Sequence, residues 1–306
     1  MEIQVVDNAS QDGSADFVAA KHPDVRLIRN AKNLGYAGGH NIGIREAEGE
    51  YVLLVNQDTV LTPTFIECAV ETFRRDGRIG AVQGKLFLYN FNDGAPRVGL
   101  TGKRLIDTTG FLFLKNRRVL NRGQGEEESA QYNQGGEVFG ADGALPIYRR
   151  AALEDVKIGT EYFDEDFFAY MEDVDLAWRL RLRGWKTWYE PRAIAFHGRG
   201  AGERAVRNYF SILRERRHVS PFAKKYSFRN KRLLQMKNEF PSLAVKHLFW
   251  WGTKEILAWA WATVAEWYTP WVAKELIRLA PKMFKKRREI MRRATITPQA
   301  FAKWIT

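Results

Sequence analysis

At 306 residues the chain can form one large core or a core with an appendage, and its single cysteine, Cys68, excludes an intramolecular disulfide and any cysteine-rich metal site. The net charge of +12 is unevenly spread: residues 1–200 carry 25 Lys/Arg against 29 Asp/Glu, and residues 201–306 carry 23 against 7. The basic character therefore lies wholly in the C-terminal third, and points it at an anionic partner, either membrane or nucleic acid.

Residues 3–6 predict a strand, and Asp7-Asn8-Ala9-Ser10-Gln11-Asp12-Gly13-Ser14 a turn leading to a helix that runs to about Lys21. Val25 to Arg29 predict a second strand, the glycine-rich segment Asn33 to Gly43 opens a helix, and Tyr51 to Val55 predict a third strand. This alternation with short loops argues for a parallel, doubly wound α/β sheet. After Thr62-Pro63, a cap followed by an N1 proline, comes a helix with Cys68 expected on its inner face. Residues 81–89 and 145–149 predict further strands, separated by a polar, glycine-rich stretch over 97–139 that reads as an insertion facing a substrate.

From Glu203 the pattern is helical and basic. Residues 248–271 hold Trp250, Trp251, Trp259, Trp261, Trp267 and Trp271, interrupted by Lys254, Glu255 and Glu266, so the run lacks the ~18 uncharged apolar residues of a spanning helix. Lys282, Lys285, Lys286, Arg287, Arg288, Arg292 and Arg293 follow. Tryptophans beside a polybasic stretch favour an anionic membrane surface; the other reading is a helical subdomain with Trp in its core and a solvated basic face. No helix-turn-helix, zinc-finger or aromatic RNA-binding signature supports nucleic acid, and none is expected as a partner. Met1-Glu2-Ile3-Gln4-Val5-Val6 has no signal-peptide pattern, and the expected location is cytoplasmic, peripheral on the inner face of the cytoplasmic membrane.

Two acidic positions carry the chemistry. Asn56-Gln57-Asp58 sets a carboxylate at the carboxyl end of a buried strand, where α/β sheets bind metals and diphosphates; Asp58 reads equally well as a cap for the following helix. Mg²⁺ needs only one or two protein carboxylates when substrate phosphates supply the remaining ligands. Glu172-Asp173-Val174-Asp175 opens an amphipathic helix that ends at Gly184, a C′ glycine. Capping explains one acid there, not three, and Asp173 across a cleft from Asp58 could accept a proton from an acceptor hydroxyl. The glycines Gly35, Gly38, Gly39 and Gly43 would let backbone approach a ligand where free helix N–H groups suit nucleotide oxygens.

Residues 3–240 resemble the family 2 glycosyltransferases of GT-A fold, within them the rhamnosyltransferase-like group. The resemblance rests on Val5-Val6-Asp7-Asn8-Ala9-Ser10 with Asp12-Gly13-Ser14, on Asn33-Leu34-Gly35-Tyr36-Ala37-Gly38-Gly39-His40-Asn41-Ile42-Gly43, and on Asn56-Gln57-Asp58. Further along it rests on Gly140-Ala141-Asp142-Gly143-Ala144 with Tyr148-Arg149-Arg150, on Phe163-Asp164-Glu165 through Asp175, and on His197. It implies a mixed, mostly parallel sheet flanked by helices and a transfer domain over 1–222, while the Trp-rich, basic remainder, 223–306, reads from its own residues as a helical membrane-associating region. It also implies that Asp7 contacts the nucleotide base, with Asn8, Asn33, Gly35, Gly38, Asn41, Asn56, Asp58 and Asp142 completing the nucleotide-sugar site. Asp173 matches the family's catalytic base and Glu172 its neighbour; Asp58, with His197, matches the metal ligands, for Mg or Mn. Imidazole suits Mn²⁺ better than Mg²⁺, and a hydrogen-bonded structural histidine is the alternative for His197.

The implied activity is inverting transfer from a dTDP- or UDP-sugar, rhamnose first, to a lipid-linked or cell-envelope polysaccharide acceptor. Two departures stand against it. Asn56 replaces the first acid of the family's Asp-X-Asp element, and the strand and Thr/Asn-Tyr-Asn-type loop that normally precede the equivalent of Val5 are missing. A truncated start is the expectation, because loss of a first strand exposes an apolar edge; the alternative is a catalytically impaired homologue that binds nucleotide sugar or glycan.

Overall fold

The structure, a computed structural model, describes residues 1–198, Arg216 and residues 219–306. The helical, basic pattern expected from Glu203 lies, over residues 203–215, outside the described residues.

The chain begins β1 (Gln4–Asp7), α1 (Ser14–Lys21), β2 (Arg26–Arg29), α2 (Gly35–Glu46), β3 (Tyr51–Leu53), β4 (Thr59–Leu61), α3 (Phe65–Arg75) and β5 (Ile79–Asn90). The expected insertion follows as the short strands β6 (Ala95–Pro96), β7 (Ile106–Thr108), β8 (Phe111–Phe113), β9 (Val119–Asn121) and β10 (Gly136–Val138). Then come β11 (Ile147–Arg149), α4 (Arg150–Val156), α5 (Glu172–Leu182) and β12 (Lys186–His197).

The first five predicted elements appear in the expected order, but the sheet is less parallel than expected. β1 and β2 pair in parallel as a separate two-stranded sheet. The eight-stranded central sheet runs β10-β12-β5-β11-β3, and β5–β12 is its parallel pair. β10–β12, β11–β3, β11–β5, β4–β12 and β5–β7 are antiparallel. The mixed α/β architecture holds; the parallel majority does not, because β11 runs antiparallel between β3 and β5, and β4 and β10 pair antiparallel with β12.

β5 is enclosed over its first ten residues, as a central strand covered on both faces must be. At Gly84 the carbonyl of Ala193 lies 2.5 Å from where a Cβ would stand, and β12 shifts register there between Glu190 and Ile194. α3 buries Phe65, Ala69, Thr72 and Phe73 at i, i+4, i+7 and i+8 against this sheet. Thr62 does not cap α3; its hydroxyl donates to Ile194 O at 2.7 Å, tying the turn after β4 to β12.

The C-terminal part forms α6 (Pro221–Asn238), α7 (Pro241–Lys246), α8 (Leu248–Trp261), a π-helical turn (Ala262–Glu266), α9 (Thr269–Arg293) and α10 (Pro298–Ala302). One apolar cluster joins Phe113, Phe139 and Trp178 to Phe228, Leu233, Leu276, Met283 and Phe301. Lys237 is wholly enclosed between Asp164 at 2.5 Å and Asp175 at 2.7 Å, and Lys286 meets Asp164, Asp166 and Glu161 within 3 Å. Part of the basic stretch is therefore internal structure, as is part of the tryptophan set: Trp259 packs edge-on against Phe228 and Trp251 donates to Ala244 O at 2.8 Å.

Candidate active site

The strand-end acid does not cap a helix. Beyond β3 the chain keeps pairing, Leu54 N with Pro146 O at 3.1 Å and Asn56 N with Ala144 O at 3.0 Å, and then turns so that Asp58 faces His197 at the end of β12. Asp58 Oδ1 lies 3.3 Å from His197 Nε2, and Asp107 Oδ2 of β7 lies 2.8 Å from His197 Nδ1. Asp107 and His197 are buried, while the Asp58 side chain remains partly open. A buried carboxylate is an acceptor, so Asp107 accepts a hydrogen bond from Nδ1–H, which in the neutral ring turns the Nε2 lone pair toward Asp58. Two electron-rich groups facing each other, one oriented by a carboxylate behind it, fit a shared divalent cation. Among the described residues no cluster of three or more His, Cys, Asp or Glu forms a metal cage. Asp107 was not foreseen; its only trace in the sequence is one acid inside the short strand Ile106-Asp107-Thr108.

The second centre stands at the start of α5. Asp173 Oδ2 accepts from Gly143 N at 3.0 Å and Oδ1 from Val174 N at 2.7 Å. Burial, and then the neighbouring Asp142 carboxylate, push the Asp173 carboxyl up to about 7. Glu172 is more deeply buried, its Oε2 has no hydrogen-bond partner, and burial followed by Asp173 raises it well above the carboxylate range. Two acids with shifted affinities, Asp173 of them partly open to solvent, suit proton transfer near neutrality. Asp175 belongs to a different system: Arg179 and Lys237 bind it, and burial opposed by these two cations leaves its carboxyl lowered.

Residues 142–144 connect the two centres. Gly143 N holds Asp173, Ala144 O holds Asn56 N, and Asp142 is fixed by Asn121 and by Ala144 N. Tyr36 donates its hydroxyl to Gly143 O at 2.5 Å, bringing α2 to the same point. Asn56 is thus linked through residues 142–144 to Asp142 and Asp173.

The glycine-rich segment has another use than the one expected. A Cβ on Gly35, whose φ is +71°, would stand 2.4 Å from Phe168 O, and Ala37 N donates to that carbonyl. Gly35 N is taken by Asn33 Oδ1, and Gly38 lies against Leu34. Asn8 donates to Gly35 O and accepts from Asn30, with its amide against Gly39. Asn41 is buried, with its amide wholly engaged by Tyr162, Phe163 and Glu165. Asn33, Gly35, Gly38 and Asn41 thus act as supports in this structure: the close approach they allow is that of the loop before α5. Asp7 ends β1, accepting from Ser10 N with its side chain and from Asn30 N with its carbonyl.

That loop is strained and held from behind. Phe168, Tyr170 and Met171 have φ of 64°, 72° and 73°, a region that costs a non-glycine residue about 1–2 kcal/mol. Asn230 of α6 donates to the carbonyls of Phe167, Ala169 and Tyr170, and Arg229 to those of Asp166 and Phe167. This support from far along the chain was not foreseen.

Residues 2–231 match the family described as "Glycosyltransferase like family 2". The chain belongs to that family. It is 25% identical over 234 residues to the poly-beta-1,6-N-acetyl-D-glucosamine synthase of Staphylococcus aureus strain COL, covering 71% of this chain and 51% of that protein. The synthase of the same name from Staphylococcus epidermidis is 26% identical over 197 residues, covering 64% and 42%. The chain thus spans about half the length of the curated relatives it matches. Among solved structures, S. aureus TarS 1–349 in complex with UDP-GlcNAc superposes with a TM-score of 0.51 at 15% identity, covering 95% of this chain and 81% of that one. GalNAc-T7 with UDP, GalNAc and Mn²⁺ gives 0.50 at 14%, covering 87% and 52%. At such identities the likeness bears on the fold, which is GT-A.

Proposed function

We propose that this family 2 protein transfers a sugar, with inversion, from a nucleotide-diphosphate sugar to a hydroxyl of a cell-envelope glycan. The observation that carries the reading is Asp173: a carboxyl raised to about 7, partly open to solvent and aimed by the Gly143 and Val174 amides. As base it takes the acceptor's hydroxyl proton while that oxygen bonds to the anomeric carbon. The nucleoside diphosphate leaves from the opposite face with the electron pair of the broken bond. Asp58 and His197 would hold a divalent cation, which when bound neutralises diphosphate charge. The Mn²⁺ in the GalNAc-T7 structure makes Mn²⁺ the first metal to try.

Rhamnose, from the motif resemblance, and N-acetylglucosamine, from the named relatives, are the two donors to compare first. In this reading residues 1–222 carry transfer, and 223–306 bring the enzyme to a lipid-linked acceptor on the inner face of the cytoplasmic membrane. The test is release of nucleoside diphosphate from dTDP-rhamnose and UDP-GlcNAc with Mn²⁺ and an envelope-lipid extract, with the product's anomeric configuration read by NMR. Retention of configuration, or undiminished transfer by Asp173→Asn, would overturn it.

A further inference from the structure

Between Leu248 and Trp267 the chain holds three charged side chains, Lys254, Glu255 and Glu266, and all three turn inward. Glu255 meets Arg232 of α6, Lys254 lies against Glu255, and Glu266 accepts from Arg216 Nε at 2.5 Å and Nη2 at 2.6 Å. The outward side carries Phe249, Trp250, Ile256, Leu257, Trp261 and Val264, with Ile256 71% and Leu257 60% exposed. At ~100° per residue, the five of these within α8 fall in one arc of about 140°. Thr253 and Thr263, also outward, donate their hydroxyls to Phe249 O at 2.7 Å and Trp259 O at 2.9 Å, so they need no water. A helix in water has the reverse polarity.

We propose that α8 and its π-helical turn lie in the plane of a lipid bilayer, with this face sunk to the boundary of headgroups and acyl chains. Three observations select lipid over a protein groove. The face ends at Trp267, 84% exposed at a left-handed residue with φ of 56°, which makes it a protruding tip. Its polar groups are self-satisfied, as hydrocarbon requires. Its neighbour α9 exposes Lys274, Lys285, Arg288 and Arg292, which complement anionic headgroups. Among the described residues no helix is long and apolar enough to cross a membrane.

This names the surface behind the membrane part of the proposed function, and it is independent of sugar transfer. The test uses the full chain without donor, in flotation with phosphatidylcholine vesicles with and without phosphatidylserine, and in tryptophan quenching by lipids brominated on the acyl chain. Binding strengthened by phosphatidylserine and quenching by bromine are expected. Ile256→Glu with Leu257→Glu should lower partitioning by roughly tenfold per site and remove the quenching, at an unchanged Tm because both sites are exposed. Lys285→Glu with Arg288→Glu should weaken only the phosphatidylserine-dependent part. Equal binding by the Ile256/Leu257 variant, absence of bromine quenching, or a dimer in light scattering that this variant dissolves would each overturn the proposal. Nucleotide release, measured separately, decides the transfer reading whichever way the vesicles behave.

Discussion

Asp173→Asn separates chemistry from stability. The native carboxyl keeps its proton up to about 7, whereas the unfolded chain releases it near pH ~4. The folded state therefore binds more protons across that window, and wild-type stability falls as pH rises from about 4 to 7 and is level above. Three pH units at 1.36 kcal/mol each set an upper limit of about 4 kcal/mol for the resulting destabilisation. Partial solvent access lowers it. An amide oxygen also cannot serve both the Gly143 and Val174 N–H groups, at a cost of about 1 kcal/mol. The variant should be about 1–2 kcal/mol more stable than wild type at pH 8, with the gain shrinking toward pH 5. Transfer should fall ~100-fold or more. Urea unfolding at pH 5, 6, 7 and 8, beside initial rates, measures both. A variant less stable at pH 8 with no pH trend would refute the assignment of a raised carboxyl, and normal rates would refute its role as base.

Asp142→Asn removes the like charge next to Asp173, so the acid limb of the rate–pH profile should move to lower pH; Asn121 can turn its amide to keep their contact. Asp107→Asn replaces the carboxylate behind His197 by a neutral, weaker acceptor and should weaken Mn²⁺ binding, measured calorimetrically with UDP present, by roughly 10–100-fold. Asn230→Ala strips the donor from three carbonyls of the loop before α5 and should destabilise by about 3 kcal/mol in urea. Asn230→Asp should not rescue it, since a carboxylate cannot donate.

What the sequence disclosed follows from the range of each interaction. β1 to β3 and the acid after β3 were readable because apolar runs and turn residues are local signals. Gly35 and Gly38 were readable as places of close approach, but a glycine does not say what approaches; here it is Phe168 O for one and the Leu34 side chain for the other. Asp175 looked like surplus acid at a helix start because its partner, Lys237, is 62 residues away. The tryptophan run could not be sorted by composition, since Trp259 fills a core as readily as Trp267 seeks an interface. The inward turn of Lys254, Glu255 and Glu266 becomes visible only with α6 and Arg216 in place.

The stapling of Phe167–Tyr170 by Asn230 bears on how this enzyme could be shortened or recombined. A designer trimming it to its sheet would stop near His197 and discard α6. The left-handed residues ahead of Asp173 would lose the donors that keep them from relaxing, and Asp164 and Asp175 would be left as buried anions without Lys237. Catalytic and helical parts must therefore be exchanged between relatives as one cassette, with the junction placed beyond α9 rather than after the last strand.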